Sequence, residues 1–334
     1  MMFGMNKILK YWLATVAVLF LGYTWGFSQT CCSGGVPLSG NIGFVGADRG
    51  SFQMELSYDL NYLATLKNGS DVYADENRKR ITQSLLLKGG YSINNWLALD
   101  ALFTYVFQQR KVTFLEESNT VRTHGLGDAV LMLKFIPLRI SSSGHELQLG
   151  AGPKIPLGKS DLSDDRGITL NADMQPGSGS WDAIAWGYFA RQLKMRPSSV
   201  ISLRVVGRIN GVNREYFGSQ SYQFGNSFQV YLGIGDQFIL ANKIITPSLS
   251  LRYRQAGPDE INGQVLDNTG GQWINVIPAI SWHIRQNTIL HLIPEIPLYS
   301  DVEGIQLTPT FRMQIGIYHN FGAKKENKYK IYQL

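Results

Sequence analysis

The sequence predicts an all-β fold, an antiparallel transmembrane outer-membrane β-barrel of about twelve strands, on three observations. The first is alternation: Phe311, Met313, Ile315 and Ile317 share one parity, while Arg312, Gln314, Gly316 and Tyr318 share the other. Successive strand side chains point to opposite faces, so one face can meet lipid and its neighbour a wet interior. The second is a single N-terminal apolar segment, after which no stretch approaches the ~18 uninterrupted apolar residues of a membrane helix. The third is the rhythm of the connections, which alternate between brief and extended.

Lys7 and Lys10 precede an apolar run from Tyr11 to Tyr23, and Gly26 and Ser28 supply a small-x-small pair before Gln29. This is the layout of a cleaved export signal, so residues 1–28 read as a signal peptide and 29–50 as a short periplasmic segment. Cys31 and Cys32 are the only cysteines. Being adjacent, they cannot staple distant parts of the fold, and a ring between them is strained. Intermolecular pairing, a metal contact or a periplasmic partner at Cys31 and Cys32 is left open, although two thiolates fall short of a structural zinc site. Gln29-Thr30 is a poor context for a lipidated cysteine.

The formal charge of +6 is spread along the chain, and Lys324, Lys325, Lys328 and Lys330 read as a solvated tail over residues 322–334. Nucleic-acid binding needs a coherent basic face with stacking aromatics, which is absent, so no nucleic acid is expected as a partner.

The barrel is expected over residues 51–321. Strand one places Phe52, Met54, Leu56, Tyr58 and Leu60 outward against Gln53, Glu55, Ser57 and Asp59. A second strand, Ile81 to Tyr91, ends at the turn residues Ser92 to Asn95. Leu97, Leu99, Ala101, Phe103, Tyr105 and Phe107 mark the third, opposed by Asp100, Thr104 and Gln108. Strand four carries Ala129, Leu131, Leu133 and Phe135 outward and Asp128, Val130, Met132 and Lys134 inward; strand five sets Leu147, Leu149 and Ala151 against Glu146, Gln148, Gly150 and Gly152. A connection rich in Gly, Asp and Ser follows, from Leu157 to Ser180, the longest in this reading.

Strands six and seven run from Trp181 to Gln192 and from Val200 to Asn210, the latter opposing Ile201, Leu203 and Val205 to Ser202, Arg204 and Arg208. Phe228, Val230, Leu232 and Ile234 mark strand eight, and Leu249, Leu251 and Tyr253 strand nine, against Ser250, Arg252 and Arg254. Strand ten alternates Ile274, Val276, Ile280 and Trp282 with Asn275, Ser281 and His283. Leu290, Leu292, Ile296 and Leu298 oppose His291 and Glu295 in strand eleven, and Phe311 to Phe321 closes the series. Pro247, Pro278, Pro294 and Pro309 fall inside strands and predict bulges there. Brief turns near Asn94, Ser142, Pro197, Gln237 and Gln286 alternate with longer outer connections, the sixth of which, at Gly304, is short.

A soluble β-sandwich also alternates. Many segments here reach the ~10 residues a tilted membrane strand requires. Trp96, Tyr105, Phe107, Trp181, Phe189, Trp273 and Trp282 sit where interfacial girdles are expected.

The inward parity carries Glu55, Asp100, Asp128, Lys134, Glu146, Lys154, Asp182, Arg204, Arg208, Arg252, Glu295 and Arg312. Charges of both signs can seal a lumen or line a narrow pathway. Trp186, Tyr188, Tyr231 and Tyr318 share that parity, a lining suited equally to packing or to contact with a small amphipathic solute. An outer-membrane hydrolase requires a serine and a histidine within reach of each other, but His124, His145, His283, His291 and His319 are scattered. Asp161, Asp164 and Asp165 lack the frame of a calcium loop. No catalytic residue, cofactor or metal is expected.

Gly125-Leu126-Gly127-Asp128 and Leu131 to Phe135, with Leu149-Gly150-Ala151-Gly152-Pro153-Lys154-Ile155-Pro156-Leu157-Gly158 and Pro176-Gly177-Ser178-Gly179-Ser180-Trp181-Asp182, give the chain a family resemblance. It resembles outer-membrane transporters of the phenol-degradation meta-pathway type, which are related in shape to long-chain fatty-acid channels. The Cys31 to Gly35 start looks like a Bacteroidetes variant. The resemblance implies passive uptake of hydrophobic or aromatic molecules across a Gram-negative outer membrane. Physically, Gly150 and Gly152 would relieve crowding in the barrel, and Pro176, Gly177 and Gly179 would return the long loop to strand six. The chain departs from the family in having only about twenty mature residues before strand one, less than a fatty-acid channel's hatch, and in Leu157 where a small hydroxyl residue is usual.

The leading expectation is a channel in outer-membrane lipid for small hydrophobic or aromatic solutes, with Asp128, Lys134, Trp186, Arg204 and Arg252 as pathway residues. The alternatives are a sealed structural or interaction barrel, and then a membrane hydrolase.

Overall fold

The computed structural model describes residues 44, 48–139 and 144–322. The signal segment, Cys31 and Cys32, the Ser142 turn and the lysine tail lie outside them. Ten strands cross the wall in chain order: Phe52–Gly69, Arg78–Ser92, Leu97–Phe114, Ala129–Leu138, His145–Ile155, Asp182–Leu193, Arg196–Ile209, Ser227–Gly235, Lys243–Ala256 and Gly271–Arg285. Each pairs antiparallel with its sequence neighbours. A final element, Thr288–Asn320, pairs with the tenth span through its first half and with the first span through its second half, which closes the ring.

That element has 33 residues. Laid straight it would reach roughly 110 Å, several times the ~25 Å apolar band of such a barrel. It doubles back instead. The Thr288 hydroxyl meets His319 Nδ1 at 2.9 Å, Gly316 lies against the His291 imidazole, and Gly304 at the fold-back has φ +60°. Both pairings centre the hairpin on Glu303-Gly304, so the element supplies an eleventh and a twelfth span. The result is a closed up-and-down barrel, in which every backbone donor and acceptor of the wall can find a partner on an adjacent strand.

Side-chain parity sorts the wall as expected. Along the first span Gln53, Glu55, Ser57, Asp59 and Asn61 are buried inside, while Phe52 and Leu56 are exposed outside. Leu99, Phe103, Leu133, Phe135, Leu149, Leu203, Leu232, Leu251, Ile296 and Ile315 continue that apolar exterior round the barrel. On a water-soluble protein such a belt would be an aggregation surface; around a closed barrel it is the lipid face. Trp96, Phe107, Trp181, Phe189 and Trp282 are exposed on it. Trp273 corrects the expectation: it is 2% exposed and faces inward, beneath the Arg254 guanidinium at 4.8 Å. It shares parity with inward Asn275 and Ile277, so period-two alternation overrides the general preference of Trp for the interface. Ala129, expected outside, is also buried.

Three of the prolines shape the wall in two ways. Pro309 lies at a register shift between Leu63 and Thr65 of the first span. Pro278 and Pro294 face one another across spans ten and eleven, where pairing stops at Val276↔Ile296 and resumes at Ile280↔Leu292. Neither proline has an N–H to give that ladder.

The strands outrun the membrane at the outer end. The first span has 18 residues, which at ~3.3 Å each and a ~40° tilt rises roughly 45 Å. Above the barrel, Leu97–Phe114 pairs with Glu117–Leu126 through a two-residue turn at Leu115 (φ 46°) and Glu116 (φ 69°). Short strands Val212–Tyr216, Gln220–Gln223, Glu260–Ile261 and Gln264–Val265 form a separate small sheet, backed by Ala172, Tyr216, Tyr222 and Phe224. The outer connections are therefore folded structures.

Candidate functional site

The lumen is organised in levels, beginning at the outer mouth. There a cavity of about 510 Å³ lies between the barrel rim and the small sheet, of a size that suits a small organic molecule. Apolar and aromatic side chains, including Leu63, Val121, Phe217 and Leu266, form most of its wall, together with Arg78, Lys79, Arg80, Arg110 and the carboxylate Asp173, which pairs with Arg80 and Arg110. Two tyrosines beside it are held in their neutral form. Burial pushes the Tyr216 phenol up to about 12, and burial together with its 2.6 Å hydrogen bond to Asp259 raises Tyr222 further.

The long loop from Leu157 to Ser180 folds inward across this mouth. Gln175 is buried and ties the loop to itself, accepting from Leu162 N at 2.9 Å and donating to the Leu162 and Leu170 carbonyls at 2.9 and 3.0 Å. Arg80 of the second span pairs with Asp173 at 2.7 Å, and Thr123 donates to the Met174 carbonyl at 2.7 Å.

Asp128 stands at the loop's base. Fully buried, it accepts from Lys154 Nζ at 2.6 Å, from the Ser178 amide and hydroxyl at 3.1 and 2.7 Å, and from the Gly158 amide at 3.3 Å. Lys154 also pairs with Asp182 at 3.1 Å, and Arg208 meets Asp182 at 2.7 Å. This arrangement clamps both ends of the loop to the wall. The glycine-rich stretches let the segments approach: a Cβ on Gly152 would overlap the Leu131 carbonyl oxygen, and one on Gly177 would overlap the Gly158 backbone.

An apolar band lies across the lumen below the clamp. Leu86, Leu102, Val130, Met132, Ile184, Trp186, Val206, Tyr231 and Ile277 pack together there, with Tyr188 and Ile293 against them. These residues come from spans two, three, four, six, seven, eight and ten, so the apolar cluster reaches across the lumen. Trp186 stacks on Tyr188 with centroids 6.0 Å apart, and Lys134 Nζ lies 6.0 Å from the Trp186 ring.

Beside this band, strand register sets Tyr188, Arg204, Tyr231 and Arg252 in one row across four adjacent spans. Arg252 pairs with Glu295 of the eleventh span. Arg204 instead lies between Tyr231 and Tyr188, its guanidinium carbon 5.2 and 5.9 Å from their ring centres.

On a neighbouring part of the inner wall Lys134 binds Asp100 at 2.8 Å, and Lys88 binds Glu55 at 2.7 Å. Phe44 reaches into the barrel between these pairs. Its amide donates to Asp100 at 3.2 Å, its carbonyl accepts from Lys134 at 2.8 Å, and its ring rests 5.5 Å from Lys88 Nζ. Arg312 and Asp59 form a further pair at 2.8 Å.

The five pathway residues expected from sequence thus occupy three settings: Asp128 in the loop clamp, Lys134 and Trp186 at the apolar band beside Phe44, and Arg204 with Arg252 in the tyrosine row. Sequence reasoning did not single out Lys88, Arg80, Asp173 or the Tyr216 and Tyr222 pair. Lys88 was accessible from its parity with Leu86; the others depend on how the outer loops fold. Among the described residues, no group of three or more His, Cys, Asp and Glu is placed to hold a metal.

Comparison with solved structures supports the same architecture. The fold is similar to that of an outer membrane channel from Pseudomonas putida F1, with a TM-score of 0.63 at 14% identity, covering 86% of this chain and all of that one. The chain is an outer-membrane β-barrel. Weaker likenesses are to the β-domain of the Bordetella autotransporter BrkA, with a TM-score of 0.44 at 12% identity over 80% of this chain and 99% of that one, and to the KdgM porin, at 0.42 and 8% over 80% and 98%. No protein-family model and no curated protein sequence matches the chain. A closed barrel with an apolar outer belt is the form that spans a Gram-negative outer membrane.

Proposed function

We propose that the protein is an outer-membrane channel for passive uptake of small solutes with a hydrophobic or aromatic body. The observation that carries this reading is the apolar band across the lumen, which lies below a mouth cavity of ligand size. A band of Leu, Ile, Val, Met and Trp side chains presents a dewetted constriction to ions and sugars. An apolar solute replaces those contacts with its own as side chains move aside, so the same band is a weaker barrier to it. The mouth supports the reading with its aromatic and aliphatic walls and its surplus of cations.

A sealed structural barrel is the second reading, favoured by the buried ion pairs and by Phe44 within the lumen. Flux from liposomes carrying the folded protein separates the two. The channel reading expects aromatic alcohols and aromatic acids to cross faster than through protein-free bilayers, with sugars retained. Flux of every solute at the protein-free level rejects it in favour of the sealed barrel.

A further inference from the structure

Buried cations in this lumen are held by carboxylates: Lys88 by Glu55, Lys134 by Asp100, Lys154 and Arg208 by Asp182, Arg252 by Glu295 and Arg312 by Asp59. Arg204 departs from that pattern. It faces the interior on the seventh span, and among the described residues no carboxylate pairs with it; its neighbours are the faces of Tyr188 and Tyr231. A guanidinium stacked on rings keeps its edge donors free, and that edge is a planar fork that fits a carboxylate.

Two further observations bear on the same wall. The indole N–H of Trp186, two residues before Tyr188 on the same face, is buried without an acceptor. It is a second donor that the protein leaves unused, and a buried donor in that condition is costly unless a ligand completes it. The next inward row in register below Arg204 is Ala190, Ser202, Gly233 and Ser250. These side chains are small, and the virtual Cβ of Gly233 falls 2.6 Å from Ser250 Oγ and 3.0 Å from Ser202 Oγ. Small residues therefore flank the guanidinium on this side, with the Ser202 and Ser250 hydroxyls packed over Gly233.

We infer that Arg204, Tyr188, Tyr231 and Trp186 form a subsite for an aromatic carboxylate, with Arg204 taking the carboxylate and the stacked Trp186 and Tyr188 taking the ring. The inference rests on the channel reading for its purpose, because a solute must reach the lumen to use it, but binding and transport are measured separately. The cationic mouth acts in the same direction, since Arg78, Lys79, Arg80 and Arg110 would raise the local concentration of an anion.

The test uses benzoate and benzyl alcohol, which share a ring and differ in charge, with chloride as the control anion. Benzoate binding to the protein in detergent, read by titration calorimetry, is expected to saturate and to weaken about tenfold or more in Arg204→Gln, the scale of a lost charge-assisted hydrogen bond. Arg204→Lys, which keeps the charge and loses the fork, should fall between. In liposomes Arg204→Gln should slow benzoate while leaving benzyl alcohol within about twofold, as expected for a loss confined to the charged group. Heat-modifiable gel mobility confirms that each variant is folded. Absence of saturable benzoate binding, an Arg204→Gln affinity equal to wild type, or chloride competing as well as benzoate at equal concentration overturns the subsite. Saturable, Arg204-dependent binding without flux of either aromatic keeps the subsite and sinks the channel. Flux of benzyl alcohol with no benzoate binding does the reverse.

Discussion

Replacing Lys154 with Met tests whether the long outer loop is held in place by buried charge. Lys154 and Asp128 are both fully buried, 2.6 Å apart, and Lys154 also bridges to Asp182. Met matches the stem of the side chain, so packing changes little and the ammonium is what is lost. Asp182 keeps Arg208 at 2.7 Å, the Ser180 hydroxyl at 2.9 Å and the Gly211 amide at 3.1 Å, and so remains compensated. Among the described residues, Asp128 then retains Ser178 and the Gly158 amide. Breaking a buried pair from one side costs about 3–5 kcal/mol. The loop can escape that cost by opening and letting water reach Asp128. A shift of ~3 kcal/mol raises the open population roughly 100-fold or more at ~1.4 kcal/mol per decade. Hydrogen exchange on peptides covering residues 157–180 reads this directly through the Gly158 and Ser178 amides, with the barrel amides of the first span as the internal standard. The double variant Lys154→Met, Asp128→Leu should recover much of the protection, because an apolar pair in place of an ion pair is often neutral. Exchange of the loop unchanged within about twofold in Lys154→Met would refute the clamp, since even ~0.4 kcal/mol would show at that level.

Other consequences are as direct. Tyr222→Phe removes the 2.6 Å hydrogen bond to Asp259 and should loosen the small outer sheet by about 1–3 kcal/mol, read as faster exchange over residues 212–223. In the wild type the Tyr222 phenol is raised by burial, so the folded state keeps a proton that the unfolded chain gives up near ~10; its contribution is constant below that pH and is lost as pH rises above it. The absorbance titration of folded wild type minus Tyr222→Phe should therefore show no phenolate at pH ~10.5, and a full phenolate signal there would contradict the burial. Gly152→Ala places a Cβ into the Leu131 backbone and should abolish the folded, heat-modifiable band, while Gly207→Ala, with open space around it, should leave that band intact. Trp186→Ala opens the apolar band and should change aromatic flux; flux equal to wild type would remove Trp186 from the pathway.

Strand parity was legible because it is a local property. Glu55, Asp100, Glu146 and Glu295 are buried inside as their alternation requires, Arg204 meets Tyr188 and Tyr231 there, and the wall formed by Leu133, Leu203 and Ile315 faces outward. Trp273 shows that parity outranks a residue's average preference, since the alternation of its own strand already set it beside Asn275. The outer architecture was much less legible. The stretch from Glu117 to Leu126 belongs to none of the strands expected from sequence, yet it hydrogen-bonds to Tyr105–Phe114 once the chain turns at Leu115 and Glu116, two residues with left-handed φ and no glycine to announce it. The roles of like residues diverged for the same reason. Arg204 and Arg252 share residue type and inward parity, but Glu295 lies next to one and tyrosines surround the other, a difference set by strand register between distant segments. Asp128 carries a motif visible in sequence, but its partners Ser178 and Gly158 come from the two ends of a loop whose course only the fold determines.

Adjacent residues on one strand offer the most direct measurement of whether this chain is a lipid-embedded barrel with a wet interior. Ser202 faces the lumen and Leu203 is 41% exposed on the outer belt. With Cys31 and Cys32 changed to serine, single cysteines at 202 and 203 would be challenged in liposomes with a small charged methanethiosulfonate. The account expects Ser202→Cys to react and Leu203→Cys to stay protected until the protein is unfolded. Equal reaction at both positions, or reaction at 203 alone, contradicts it.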